Sequence, residues 1–211
     1  MNTHPHYGQP VTFTGTPLPN ATSAMIMIHG RGGDALDILA MTSHFTASNV
    51  AYFAPQAQNF TWYPNRFIMP RASNEPYLSS ALKIITDLVT HITEGGISAD
   101  KILFVGFSQG ACLASEFVAR NPKRYGALFA LSGGLIGAEG ELTGYIGSLS
   151  KTPVFLGCSD IDDHIPVGRI HESEKIFTEM DATVTKRIYP NMGHIVNQDE
   201  LDFIKEVMSA V

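Results

Sequence analysis

The apolar residues of this chain form short runs, and a glycine, proline or serine closely follows each run. Runs of four to six apolar residues with turn residues behind them are typical of strands buried on both faces. Six such runs predict strands at residues 24–29, 50–54, 102–105, 127–131, 153–156 and 184–189. Residues 11–14 predict a further strand, antiparallel and at the edge of the sheet.

Longer amphipathic stretches separate these runs. Apolar residues at helical spacing predict helices at residues 76–94, 109–121, 167–180 and 199–210. Strands that alternate with helices favour right-handed crossovers and a mostly parallel sheet with helices on both faces. With 211 residues, the chain fits a single α/β domain over residues 1–211. Ligands of such sheets bind at the carboxyl ends of the strands, so function is expected in the residues that follow them.

Charge and composition exclude several classes of partner. The formal net charge is -6 and no lysine or arginine cluster occurs, which argues against nucleic acid and against polybasic membrane attachment. No apolar run approaches the ~18 residues of a transmembrane helix. The amino-terminal residues lack a secretion signal, so we expect a cytoplasmic protein without stable membrane insertion. Cys112 and Cys158 are too few for a disulfide framework, and we expect both to be reduced.

The predicted strand at 102–105 is followed by Gly106-Phe107-Ser108-Gln109-Gly110, which matches the pattern G-x-S-x-G. A serine hydroxyl is a weak nucleophile that must be held on a sharp turn between a base and a substrate carbonyl. A strand, a tight turn and a helix provide that position, and flanking glycines permit the close approach. Ser108 is therefore the candidate nucleophile.

A serine nucleophile needs a base and an orienting carboxylate, which follow it along the chain in this type of sheet. His194 lies in a loop directly after the last predicted strand and is the preferred base, ahead of His164 and His171. The carboxylate has to orient the imidazole and stabilise its protonated form. The segment after the preceding strand offers three candidates, and their positions alone do not decide between them: Asp160, Asp162 and Asp163.

An oxyanion intermediate requires two preorganised backbone N–H donors. One is expected from Gln109, the residue after the nucleophile, and the other from Arg31 in the glycine-rich loop after the first buried strand. That loop reads G-R-G-G-D-A and lacks the G-x-G-x-x-G spacing of a dinucleotide site. Spacings typical of metal sites, such as CxxC and HExxH, also do not occur, so neither a cofactor nor a metal is expected.

Five motifs occur in a characteristic order: HGRGGD, FAPQAQ, GFSQGA, D-x-D-x-x-I-P and Y-x-x-M-G-H. From about residue 25 to 204, the chain resembles the phospholipase/carboxylesterase branch of the α/β-hydrolases, which includes the acyl-protein thioesterases. The resemblance implies hydrolysis of carboxylic esters or thioesters through an acyl-serine, without a cofactor. It also implies that Asp162, four residues before Pro166, is the triad acid, although Asp163 stands where the family usually has proline.

The segment between Pro55 and Pro76 is long for a loop and rich in large side chains, which indicates a functional role. We expect it to border the acyl pocket together with residues from two later loops; the candidates are Trp62, Tyr63, Phe67, Met69, Leu135 and Ile165. Arg66 and Arg71 could contact an anionic substrate group or could be solvated surface residues. No large insertion separates the predicted strands, which favours a small soluble ester and no lid domain.

Two alternative functions remain open at this stage. One is a lactone or ring-cleavage hydrolase, a class that carries cysteine at the position of Ser108. The other is a catalytically silent binding protein that keeps the fold. The length of the chain is also compatible with a small homodimer.

Overall fold

The computed structural model describes residues 4–45 and 47–209, and its strands form one seven-stranded sheet. The strands are β1 Val11–Gly15, β2 Ser23–Ile28, β3 Val50–Pro55, β4 Ile102–Phe107, β5 Ala127–Leu131, β6 Pro153–Ser159 and β7 Thr183–Tyr189. Their order is β1-β3-β2-β4-β5-β6-β7. All pairs are parallel except β1 with β3. The predicted mostly parallel sheet and its antiparallel edge strand are therefore confirmed.

Helices cover both faces of the sheet. They are α1 Ala35–Ala40, α2 Tyr77–Glu94, α3 Gln109–Arg120, α4 Val167–Glu179 and α5 Gln198–Met208. The predicted end of the last helix, residue 210, lies outside the described residues. Helix α1 was not predicted because it has only six residues; the Asp34 side chain caps it by accepting hydrogen bonds from two backbone N–H groups. No described helix is long and apolar enough to cross a membrane.

The two faces of the sheet form separate apolar clusters. Strand β2 shows the division, because Ala24, Ile26 and Ile28 pack towards α2, α3 and α4, whereas Met25 and Met27 pack towards α1 and α5. This alternation follows from the two-residue period of a strand. Burial of all six residues of β2 explains why the sequence shows an unbroken apolar run there.

The register of the sheet brings four loops to the same edge. Ile28 at the end of β2 pairs with Gly106 in β4, and Phe107 pairs with Leu131 at the end of β5. Farther along, the end of β6 pairs with Tyr189, the last residue of β7. The loops that follow β2, β4, β6 and β7 therefore emerge at the same edge of the sheet, with β5 between β4 and β6.

Candidate active site

Ser108 occupies the sharp turn between β4 and α3. Its backbone adopts φ 54 and ψ -118, in a region that residues other than glycine rarely adopt. A hydrogen bond of 2.9 Å from Ser108 N–H to the Leu131 carbonyl fixes the turn to the neighbouring strand. Such strain costs on the order of 1–3 kcal/mol and persists only where the surrounding structure enforces it. It directs the hydroxyl away from the strand and towards the adjacent loops.

The two glycines of the motif permit this turn. A Cβ atom at Gly106 would lie 2.4 Å from the carbonyl oxygen of Gly110, and one at Gly110 would lie 2.1 Å from the carbonyl oxygen of Ile28. Both separations are far below van der Waals contact. Helix α3 can therefore begin directly against β4 and β2 only because both positions lack a side chain.

A continuous chain of hydrogen bonds joins Ser108, His194 and Asp162. His194 Nε2 lies 2.8 Å from Ser108 Oγ, and His194 Nδ1 lies 2.7 Å from Asp162 Oδ2. With Nδ1 protonated and donating to Asp162, Nε2 is free to accept the serine proton. The imidazole packs between Phe107 and His164, whose ring centroids lie 5.0 and 4.7 Å from its own.

Asp162 is held as a carboxylate. Its side chain is buried, and Oδ1 accepts hydrogen bonds from the backbone N–H groups of His164 and Ile165, at 2.8 and 3.0 Å. Burial acts to raise the pKa of Asp162, but the hydrogen bonds from His194 and these two N–H groups outweigh it and lower the pKa. The carboxylate is thus fixed in one orientation and stays ionised near neutral pH.

The other acidic candidates have different places. Asp160 Oδ1 accepts a hydrogen bond of 2.8 Å from the backbone N–H of Asn191, and Ser159 Oγ accepts one of 3.0 Å from Gly193. These contacts fasten the loop that carries His194 to the end of β6. The side chain of Asp163 is exposed and makes no hydrogen bond to another described residue. The residue patterns had left three aspartates open, and only Asp162 contacts the imidazole.

Of the other histidine candidates, His171 lies on the exposed side of α4, next to Lys186. The ring of His164 packs against the imidazole of His194 at an interplanar angle of 60°, but it does not hydrogen-bond to the serine hydroxyl.

The two predicted oxyanion donors belong to adjacent elements. Arg31 follows the end of β2, and Gln109 is the first residue of α3. Neither backbone N–H donates to an acceptor among the described residues. The first amides of a helix have no acceptor within the helix, which leaves the Gln109 N–H available to a ligand.

The side chains of the same two residues hold the loop after β3. The Arg31 guanidinium donates to the carbonyls of Tyr63, Pro64 and Asn65, at 2.9, 3.1 and 2.9 Å. The Gln109 amide accepts from Trp62 N–H and donates to the Tyr63 carbonyl, both at 2.8 Å. The loop segment 62–65 is therefore tied directly to the residues that carry the candidate oxyanion donors.

A cleft of about 260 Å³ opens above the serine. Its wall combines apolar rings with the polar groups already described. The residues that line it are Gly30, Arg31, Tyr63, Arg66, Phe67, Phe107, Ser108, Gln109, Cys112, His164, Ile165 and His194. Tyr63, Phe67 and Ile165 were expected in the pocket wall, and the structure places them there.

Trp62, Leu135 and Met69 lie outside this wall, unlike the sequence-based expectation. Trp62 is completely buried, with its ring between His6 and His29 at centroid distances of 5.4 and 5.0 Å. Leu135 is also fully buried in the core, whereas Met69 is 45% exposed on the surface.

Four residues were not expected in the wall from the sequence: Gly30, Phe107, Cys112 and His164. Phe107 directly precedes the serine, and Cys112 follows it by one helical turn, so the spacing could have indicated both. Burial raises the pKa of Cys112 to about 12, which keeps the thiol protonated and unreactive as a nucleophile. Within the described residues, no group of three or more His, Cys, Asp or Glu side chains could hold a metal ion.

Arg66 and Arg71 differ in their surroundings. Arg71 lies 3.3 Å from the buried carboxylate of Glu116 and also donates to the Ile136 carbonyl and the Tyr145 hydroxyl. The charge of Arg71 is therefore already paired with Glu116 of α3. Arg66 borders the cleft, and its side chain makes one described hydrogen bond, of 3.3 Å, to the His164 carbonyl.

Comparisons with known proteins, by sequence and by structure, point to one family. The sequence model of the phospholipase/carboxylesterase family matches residues 12–211 of this chain. Acyl-protein thioesterase 1 of Kluyveromyces lactis is 30% identical over 135 residues, which cover 63% of this chain and 59% of that protein. Acyl-protein thioesterase 1 of Saccharomyces cerevisiae is 28% identical over 174 residues, or 79% of this chain and 74% of that protein. The match thus spans less than two thirds of the Kluyveromyces protein.

Among solved structures, a phospholipase/carboxylesterase from Dyadobacter fermentans superposes with a TM-score of 0.93 at 39% identity, and the match covers 99% of both chains. Esterase PE8 superposes with a TM-score of 0.79 at 24% identity, over 96% of this chain and 98% of that chain. At this lower identity, the similarity to esterase PE8 shows that the two proteins share a fold.

Proposed function

Because the chain belongs to the phospholipase/carboxylesterase family of serine hydrolases, we propose that it hydrolyses small carboxylic esters through an acyl-Ser108 intermediate. Membership in this family also confirms the resemblance inferred from the five motifs. The observation that carries the proposal is the hydrogen-bonded chain from Ser108 through His194 to Asp162 at the base of the cleft.

In the acylation step, Ser108 Oγ attacks the ester carbonyl while His194 Nε2 takes the hydroxyl proton. Asp162 stabilises the imidazolium that forms, because it is ionised and hydrogen-bonded to Nδ1. The negative charge moves to the carbonyl oxygen, where the N–H groups of Arg31 and Gln109 can donate to it. His194 then protonates the leaving oxygen or sulfur, and the alcohol or thiol departs.

Deacylation repeats these events with water. His194 takes a proton from the water, the resulting hydroxide attacks the acyl carbon, and the tetrahedral intermediate collapses. Ser108 Oγ leaves as it regains the proton from His194, and the carboxylic acid is released. His194 Nε2 serves each proton transfer, and in the resting site it lies 2.8 Å from Ser108 Oγ.

The size of the cleft favours small substrates. Sites for drug-sized ligands occupy roughly 300–1,000 Å³, and the 260 Å³ of this cleft lies just below that range. Phe67, Phe107 and Ile165 offer apolar contacts to an acyl group. We therefore expect turnover to be fastest with short acyl chains.

Hydrolysis of p-nitrophenyl acetate, butyrate, octanoate and palmitate by the wild type and by Ser108→Ala tests the proposal. The wild type is expected to prefer the shorter esters, and Ser108→Ala is expected to lose turnover on the order of 10³-fold or more with an unchanged fold. Equal rates in both proteins would refute a serine nucleophile. A wild type that is inactive on all four esters would instead favour a narrower hydrolase or a binding protein.

Thioesters are the second bond class to test, because the matched yeast relatives carry the name acyl-protein thioesterase 1. Phenyl butyrate and S-phenyl thiobutyrate differ only in the leaving atom and make a matched pair. Comparable kcat/KM values for the two would include thioesters among the substrates. A loss of more than about 100-fold with the thioester would restrict the activity to oxygen esters.

A further inference from the structure

The arginines of the described chain divide into two groups. Four of the seven form ion pairs with acidic side chains: Arg71, Arg120, Arg169 and Arg187. Arg31, Arg66 and Arg124 form none with a described residue. Two of these three line the cleft above Ser108. In a chain of net charge -6, two of the three arginines without an acidic partner among the described residues thus lie at the candidate active site.

Among the residues that the structure describes, no acidic side chain lines the cleft. The nearest carboxylate of the candidate site, Asp162, is buried behind His194, and its oxygens already accept from the imidazole and two N–H groups. It cannot turn towards an arginine without losing these hydrogen bonds. The positive charge of the cleft wall therefore has no counterion among the residues that form the wall.

The two arginines are not equivalent. Three backbone carbonyls occupy the Arg31 guanidinium and hold it against the loop. Arg66 uses one of its five N–H donors, in a 3.3 Å hydrogen bond to the His164 carbonyl across the cleft mouth. A planar guanidinium with free donors matches the two oxygens of a carboxylate.

We propose that the cleft selects esters that carry a carboxylate, and that Arg66 is the residue that pairs with it. The inference rests on the proposed function, since it concerns the substrate of the same site. The carboxylate would belong either to the acyl part or to the leaving alcohol. An anionic substrate would supply the counterion that the cleft lacks, and its attraction would weaken as salt is added.

Two matched pairs of substrates distinguish these sources. The acyl arm compares p-nitrophenyl hydrogen adipate with its neutral methyl ester, p-nitrophenyl methyl adipate. The leaving-group arm compares the butyrate esters of 4-hydroxybenzoate and 4-hydroxybenzamide. In each arm, the measured quantity is the ratio of kcat/KM for the anionic ester to that for the neutral ester. Dividing the wild-type ratio by the variant ratio cancels the intrinsic reactivity of the esters.

The test uses three variants. Arg66→Gln should lower the ratio about fivefold in one arm, near the upper range for an exposed ion pair. Arg66→Lys retains the charge and should keep most of the preference. Arg124→Gln is the matched control, because it removes one positive charge from an exposed residue that does not line the cleft. Its ratio should equal that of the wild type.

An unchanged ratio for Arg66→Gln in both arms would overturn the inference, as would an equal loss in Arg124→Gln. Turnover of the neutral esters by the wild type tests the proposed function separately, because these esters carry no carboxylate for Arg66 to bind. If the wild type hydrolyses no ester, calorimetric titration with adipate decides the matter. Binding that Arg66→Gln abolishes would support anion recognition, and absence of binding would overturn it.

Discussion

Glu200 gives this protein a pH dependence of stability that can be worked out from its surroundings. It lies in the first turn of α5, is fully buried, and forms a reciprocal capping box with Asn197. Its Oε2 accepts a 3.0 Å hydrogen bond from the Asn197 N–H, while Oε1 has no hydrogen-bond partner among the described residues. The Oε1 atom packs against Gly157, where a Cβ atom would lie only 2.1 Å from it.

Burial raises the pKa of Glu200 from its ordinary value of 4.5 to about 7. Between these values the unfolded chain has lost the proton that the folded chain retains, so stability falls as the pH rises. The full contribution is present below pH 4.5 and is lost once the pH passes about 7. The difference between the two pKa values corresponds to about 3 kcal/mol, at ~1.4 kcal/mol per pH unit.

Glu200→Gln removes the ionisation and retains an oxygen for the capping hydrogen bond. The free energy of unfolding is measured by urea titration at pH 5 and at pH 8. Its fall between these two pH values is expected to be about 2–3 kcal/mol smaller in the variant than in the wild type. The variant should therefore gain relative stability as the pH rises. Glu206→Gln is the matched control, because it changes the same charge at an exposed position of α5. Parallel pH profiles for wild type and Glu200→Gln would refute the reasoning.

Three further outcomes follow from the site geometry. Asp162→Asn should lower kcat on the order of 10²–10⁴-fold, because the neutral amide no longer stabilises the imidazolium. Asp163→Asn should retain activity, and the opposite result in ester assays would make Asp163 the triad acid. Gly110→Ala should lower the thermal midpoint by the equivalent of more than about 2 kcal/mol, since its Cβ would lie 2.1 Å from the Ile28 carbonyl oxygen; an unchanged midpoint would show that α3 can shift freely. Arg31→Met keeps the backbone donor but removes three hydrogen bonds to the loop, so kcat/KM for esters should fall about tenfold; wild-type kcat/KM would show that the loop holds its position unaided.

The main elements of the fold were predictable because both faces of the sheet are covered. Strands buried on two faces leave unbroken apolar runs, as in β2, and the helices between them show regular spacing. Helix α1 has only six residues, too few to display a period, and depends on its Asp34 cap. The strand β6 continues three residues beyond the predicted end, through Gly157 and into polar Ser159, because pairing with β7 extends there.

The candidate site was predictable where chain order limits the choice and less so where packing decides. The order of strand ends indicated Ser108 and His194, and the structure brings their side chains to 2.8 Å. The prediction that the segment between Pro55 and Pro76 borders the cleft holds for Tyr63 and Phe67 but not for Trp62 and Met69. Trp62 faces the core because His6, 56 residues earlier, packs on its ring and bonds its carbonyl at 2.9 Å. No local pattern could reveal a partner so distant in the chain.

The attachment of the loop to Arg31 and Gln109 has a consequence for how substrate range can change. The segment 62–65 is hydrogen-bonded to the side chains of Arg31 and Gln109. The backbone N–H groups of the same two residues are the expected oxyanion donors. Grafting a different loop from a relative would therefore disturb turnover together with selectivity. Substitutions confined to side chains such as Phe67 and Ile165 leave these hydrogen bonds intact. Such substitutions are therefore expected to change the substrate range of this scaffold with less loss of turnover than a loop exchange.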